Sequence, residues 1–156
     1  MVDVAPSTGL TDPDEIARRS AEVMLAGDQA SAGAGVALVD VGPGRATATM
    51  TVRPDMVNGH AIAHGGYVFL LADTTFAVAC NSYGRNTVAA GCDIAFLAPV
   101  EAGDVLTAEA NKRYLAGRSG IYDVAVWRAD GTVVAELRGR SRTIAGTLVP
   151  LPEEQG

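Results

Sequence analysis

The run Tyr67-Val68-Phe69-Leu70-Leu71-Ala72-Asp73-Thr74-Thr75-Phe76-Ala77-Val78-Ala79-Cys80 decides the fold. It is apolar nearly all round, so as a helix it must be enclosed by other elements. At 14 residues it is short of the roughly 20 that cross a bilayer. Asp73 is its one charged side chain. An ionised acid in apolar surroundings costs several kcal/mol unless something offsets it, so Asp73 is either paired or used. Just upstream, His64-Gly65-Gly66 gives a helix entry where backbone amides can approach a ligand closely.

The flanking sequence supplies the enclosure. Asp12-Pro13-Asp14-Glu15 is a helix start, with Asp12 as N-cap and Pro13 at the first helical position. The helix over 13–26 places Ile16, Val23 and Met24 on one face, and Gly27 stops it. Residues 35–52 read as a hairpin about Gly42-Pro43-Gly44, with Ala46, Ala48, Met50 and Val52 alternating with polar residues. After the Asp73 helix, which ends near Tyr83-Gly84, strands are expected at about 86–97, 104–115, 120–128 and 132–144. Ala129-Asp130-Gly131 turns between the last two. The order is helix, two strands, buried helix, four strands: an α+β chain whose long antiparallel sheet curls round one helix. One domain over 11–148 is expected, with a flexible arm at 1–10 and a tail at 149–156.

With 48% hydrophobic and 19% charged residues the 156-residue chain is globular. Its net charge of -6 argues against general nucleic-acid binding. No basic-then-apolar leader is evident. Cys80 and Cys92 lie in apolar runs without ligand spacing, which reads as free thiols in a reducing, cytoplasmic setting. No membrane partner or cofactor is implied. His60 and His64, the two histidines, lack a third ligand for zinc, so no metal is expected.

Free amides at Gly65 and Gly66 can polarise a carbonyl as an oxyanion hole does; the alternative is a tight helix-entry turn. Asp73 can serve as a base for water or as a nucleophile; the alternative is a structural acid. On one helix, eight residues separate Gly65 from Asp73 by roughly 12 Å, too far for a single carbonyl to touch both. One chain's Asp73 therefore serves another chain's glycine turn, and the protein is at least a dimer. Asn58 offers an amide N–H to the same carbonyl, or is a turn residue in Asn58-Gly59. His64 fixes the loop or orients substrate. Arg138, Arg140 and Arg142 alternate along the last strand; with Lys112, Arg113 and Arg118 they can hold phosphates or form a solvated face. Tyr67, Phe69, Phe76 and Tyr83 are pocket lining or core.

The stretch Asn58-Gly59-His60-Ala61-Ile62-Ala63-His64-Gly65-Gly66 followed by Leu70-Leu71-Ala72-Asp73-Thr74 resembles the hotdog-fold acyl-CoA thioesterases. Phe76-Ala77-Val78-Ala79-Cys80-Asn81-Ser82, Phe96-Leu97-Ala98-Pro99 and Gly120-Ile121-Tyr122-Asp123-Val124 resemble the phenylacetic-acid-degradation branch. The resemblance covers about residues 35–146. It implies a hotdog fold in dimers, commonly paired into tetramers, that hydrolyse acyl-CoA thioesters, with aryl-acetyl or hydroxyphenylacetyl groups as candidate substrates. By position, Gly65 donates its amide to the thioester carbonyl, Asn58 assists, and the partner's Asp73 activates water or attacks. Gly66, Thr74, Gly91, Arg113, Arg118 and Arg140 are the expected substrate contacts. Where some relatives carry a water-orienting serine this chain has Gly91, leaving that role to water, Thr74 or Asp93. Where some carry a threonine four residues past the acid it has Ala77. A non-catalytic acyl-CoA-binding module and a hotdog hydratase or dehydratase are the rival classes; the latter pairs its acid with a histidine, absent from the Asp73 helix.

Overall fold

The structure, a computed structural model, describes residues 9–153. Most of the expected N-terminal arm and the last residues of the expected tail lie outside the described residues. Helix α1 (Pro13–Ala26) starts as its sequence dictates: Asp12 Oδ1 accepts from the Asp14 amide at 3.2 Å, and Pro13 needs no acceptor for an N–H. The buried face differs from expectation. Ala17, Ser20 and Ala21 are covered, whereas Val23 is 51% exposed. Small residues win the inner face because α1 packs closely on the central helix, where a valine would hold the two apart.

A second helix, α2 (Gln29–Ala34), was not expected, because its six residues carry no apolar period. Asp28 caps its start and Gly35 closes it at φ 75, a left-handed conformation that suits glycine. The hairpin follows as β1 (Ala37–Gly42) and β2 (Arg45–Thr51), with Gly44 at φ 72 in the turn. Ala46, Ala48 and Met50 of β2 are buried, as alternation predicts. A 3₁₀ turn (Pro54–Met56) and a bridge between Val57 and Ala63 shape the loop that enters helix α3 (Gly65–Asn81).

Strands β3 (Arg85–Phe96), β4 (Val105–Ala116), β5 (Ser119–Arg128) and β6 (Val133–Thr147) complete one six-stranded sheet. Its order is β1-β2-β4-β5-β6-β3 and every pairing is antiparallel. The chain thus crosses from β2 to the far edge through α3, and β3 pairs only with β6. The inner sheet face meets α3 through Leu106, Ala108, Val124, Val126, Ala135 and Leu137, all buried. Phe76 of α3 stacks on Tyr122 with ring centroids 5.6 Å apart. The end of α3 is tied to β3 by Asn81. Its Nδ2 donates to the Ala77 and Thr87 carbonyls at 2.9 and 2.8 Å, and its Oδ1 accepts from the Thr87 amide at 2.9 Å.

The helix is not enclosed all round, as its sequence led one to expect. Gly66 is exposed, and Phe69, Leu70, Asp73 and Ala77 are only half-buried. They recur at helical spacing, so the sheet and the two small helices leave one stripe of α3 unfinished.

Replacing Asn81 by alanine orphans the Thr87 amide and carbonyl at once. Each unsatisfied buried group costs about 1–3 kcal/mol; denaturant unfolding of Asn81→Ala is therefore expected to show a loss of at least about 2 kcal/mol. A midpoint matching wild type would show that water replaces the clamp.

Candidate active site

The site is built where the loop before α3 turns into the helix. His64 is the N-cap, and its Nδ1 accepts from the Gly66 amide at 2.9 Å. That bond consumes one of the free donors of the helix start. The Gly65 amide keeps no acceptor among the described residues. The two glycines are therefore not equivalent: Gly66 belongs to the cap, and Gly65 has the available N–H. Phe96, at the end of β3, lies over Gly65; a Cβ there would come within 2.9 Å of its ring. Glycine leaves the space beneath the ring free of a side chain.

Asn58 divides its side chain in the same way. Its Oδ1 accepts from the His60 amide at 2.9 Å, which holds the turn, while its Nδ2 keeps no acceptor among the described residues. The turn is tight enough that Ala61 adopts φ 60, a left-handed conformation that an alanine takes at a cost of about 1 kcal/mol. Asn58 and Gly65 thus present their N–H donors from adjacent segments joined by the Val57–Ala63 bridge. His60 is exposed in the loop.

Asp73 lies two turns further along α3. The helix is unbroken from Gly65 to Asn81, so the ideal separation of roughly 12 Å between the two residues applies. Burial pushes the Asp73 carboxyl above its usual range, and the negative charge of Asp28 pushes it further. Among the described residues no cation pairs with it. Its contact is the Cys92 thiol of β3, with Sγ 4.0 Å from Oδ1. Burial, and then the charge of Asp73, push the Cys92 thiol up as well, which keeps it a protonated, weak donor. Cys80, two turns further along α3, is pushed up to about 12 by burial. Both cysteines are free.

The other expected contacts separate into groups. Thr74 is 8% exposed, and its Oγ1 lies 2.7 Å from Ser31 Oγ of α2. Gly91 lies beneath Arg140, whose guanidinium would be 2.6 Å from an added Cβ and which pairs with Asp93 at 2.7 Å. Arg113 pairs with Asp123 at 3.4 Å, beside the Asp123–Arg138 pair at 2.7 Å. Arg118 is exposed at the β4–β5 turn. Lys112 donates to the Tyr83 hydroxyl at 2.8 Å, and Phe76 belongs to the core. Three neighbours went unread in the sequence: Phe96 over Gly65, Cys92 against Asp73, and Asp28 behind it. Only Asp28 left a local signal, as a cap-forming residue after Gly27. A concavity of 630 Å³ on the outer sheet face, lined among others by Arg113, Asp123, Trp127 and Arg138, includes neither Gly65 nor Asp73. This concavity therefore does not join the donors to the acid.

Comparison with known proteins agrees with this architecture. The thioesterase superfamily model matches residues 60–135, which span the glycine turn, Asp73, three strands and the start of β6. The chain is 42% identical over 130 residues to the acyl-coenzyme A thioesterase PaaI of Escherichia coli, covering 83% of this chain and 93% of that one. The solved structure of the E. coli PaaI protein from the phenylacetic acid degradation operon superposes with a TM-score of 0.86 at 41% identity, over 87% of this chain and 99% of that one. A mutant form of phenylacetic acid degradation protein PaaI from Thermus thermophilus gives a TM-score of 0.72 at 32% identity, over 75% of this chain and all of the other. An antiparallel sheet wrapped on an apolar helix, a glycine turn at that helix's start and this extent of identity lead to one conclusion: the chain belongs to the hotdog-fold thioesterase superfamily, most like its phenylacetic-acid-degradation branch.

Proposed function

We propose that the protein hydrolyses acyl-CoA thioesters, with aryl-acetyl and hydroxyphenylacetyl groups as the acyl class, in a site shared between two chains. The observation that carries this reading is the division of labour along α3: a free Gly65 amide at its start and an unpaired, half-buried Asp73 about 12 Å on. The likeness to acyl-coenzyme A thioesterase PaaI supports the substrate class. The Gly65 N–H and Asn58 Nδ2 polarise the thioester carbonyl and receive its developing negative charge. Asp73 of the second chain, as a carboxylate, either takes a proton from the water that attacks the carbonyl carbon or attacks it directly to form an anhydride that water then cleaves. In both cases the CoA thiolate leaves and the free acid is released.

Two features favour the second chain. Strand β3 is twelve residues long, unpaired on one side among the described residues, and carries exposed Val88 and Phe96. Such an edge invites pairing. Antiparallel pairing of two copies runs the Gly65–Phe96 end of one protomer toward the Asp73 side of the other and covers the unfinished stripe of α3. Two such dimers associate further as a tetramer. Arg113, Arg118 and Arg140 take the CoA phosphates. The pairs of Arg113 and Arg140 with Asp123 and Asp93 are exposed and weak, so a phosphate can displace them. Gly66 and Gly91 supply close backbone approach, and Thr74 shapes the floor. Two free thiols suit a reducing cytoplasm.

Thiol release from aryl-acetyl and aliphatic CoA thioesters tests the reading. Asp73→Asn is expected to lose at least about a hundredfold in kcat; hydrolysis at the wild-type rate would sink the mechanism. Gly65→Pro removes the donor and suits a first helical position once the exposed Phe96 ring turns aside from the added Cβ, and His64 before it already holds the extended φ -60, ψ 130 that a following proline requires. Each homodimer should be inactive. Equal mixing of the two variants is expected to restore roughly a quarter of wild-type activity, since half the dimers are mixed and each has one intact site. No recovery after demonstrated chain exchange counts against a shared site.

Asp73 also gives two pH predictions of fixed sign. Because its carboxyl titrates above the usual range, kcat/KM should fall on acidification at a pH above that of an ordinary carboxylate. A folded state that binds the proton more tightly than the unfolded state is stabilised at low pH, and that contribution is lost as pH rises through the folded-state value. Asp73→Asn should therefore melt above wild type at neutral pH. The difference should shrink as pH falls toward the ordinary carboxylate value of 3.8.

A further inference from the structure

Behind Asp73 lies a second carboxylate held by a buried hydroxyl bridge. Asp28 caps α2: its Oδ1 accepts from the Ser31 amide at 2.9 Å, and its Oδ2 lies 2.5 Å from Ser31 Oγ. Ser31 Oγ lies in turn 2.7 Å from Thr74 Oγ1, the residue after Asp73 on α3. Ser31 and Thr74 are 3% and 8% exposed. Proton counting fixes the direction of this chain. A carboxylate only accepts, so the Ser31 hydroxyl donates to Asp28; its one proton being committed there, Ser31 accepts from Thr74. The short O–H···O⁻ contact is of the charge-assisted kind. The bridge thus sets α2 against α3 with the charge of Asp28 fixed beside the acid rather than free in solvent.

We propose that Asp28 is a positioning residue for the reaction: a second, non-reacting carboxylate fixed beside the catalytic acid by the Ser31–Thr74 bridge, so that Asp73 works next to a permanent negative charge. This rests on the reading of Asp73 as the reacting carboxylate. A neighbouring anion makes a carboxylate hold its proton more tightly, and a more basic Asp73 is the better proton acceptor or nucleophile. The like-charge effect of Asp28 adds to burial in the same direction. The other groups facing Asp73 do not oppose it. Cys92 from β3 and Cys80 from α3 itself are thiols whose affinity for the proton is raised. Arg140, the cation in this web, acts on Cys92 and pairs with Asp93. The buried side chains of α1, β2, β4, β5 and β6 are apolar or uncharged, Ser20, Tyr122 and Ser141 among them. A carboxylate here thus gains basicity without a cation that would cancel it.

The test removes the charge and keeps the cap. Asparagine and serine are as good as aspartate at a helix N-cap, so Asp28→Asn and Asp28→Ser retain α2. Two readouts are taken: the pH profile of kcat/KM on a CoA thioester, and the carbon-13 titration of the Asp73 carboxyl in the substrate-free protein. In both variants the Asp73 titration and the acid limb of the profile are expected to move to lower pH. The alkaline plateau should fall by less than about tenfold. Ser31→Ala should move the titration in the same direction, since the bridge no longer holds Asp28 in place. An Asp73 titration that stays where it is in wild type, whatever happens to kcat or melting temperature, overturns the proposal and leaves Asp28 a helix cap alone. Hydrolysis retained by Asp73→Asn instead overturns the reading of Asp73 itself, and the two failures are distinguishable because the titration needs no turnover.

Discussion

The burial of α3 is the constraint on which the rest depends. A helix this apolar must be covered, and a six-stranded sheet with two small helices covers most of it. The cover stops at a stripe that contains Gly66, Leu70, Asp73 and Ala77. That stripe lies beside β3, the strand whose outer edge has no partner among the described residues. An incomplete wrap and an open edge in the same place leave one side of the core uncovered among the described residues.

Asp73 sits in this gap and not deeper. Fully enclosed, its carboxylate would need a cation or would stay protonated. Fully exposed, it would be an ordinary weak base. Half-burial, a weak thiol donor from Cys92 and the neighbouring charge of Asp28 keep it ionisable yet more basic than usual. A carboxyl raised in this way costs the folded chain stability at neutral pH.

The helix start shows the same division in its hydrogen bonds. His64 takes the Gly66 amide and Asn58 Oδ1 takes the His60 amide, so the turn holds itself. Among the donors left without an acceptor in the described residues are the Gly65 backbone N–H at the helix start and the Asn58 side-chain NH₂. Donors fixed by bonds made elsewhere need no reorganisation when charge develops on a substrate. The strained Ala61 backbone lies in the same turn, and the bonds on either side of it hold that conformation.

By itself the sequence determined the helix over 13–26, the hairpin, the four later strands to within a few residues, and the buried helix with its one acid. Each rests on a local rule: a cap and proline at Asp12-Pro13, alternation at Ala46–Val52, an apolar run around Asp73. It also determined that Gly65 and Asp73 are about 12 Å apart, because helical rise is fixed. The sequence misled where packing chose among equals. Val23 looked inward but small residues were needed against α3, and α2 was too short to show a period. What only the tertiary structure decided was adjacency: Phe96 over Gly65, Cys92 against Asp73, Asp28 and Ser31 behind Thr74, and which glycine amide the cap takes. These contacts join residues far apart in the chain, and no local pattern encodes them. Sheet order and helix packing bring them together, and only the folded chain fixes both.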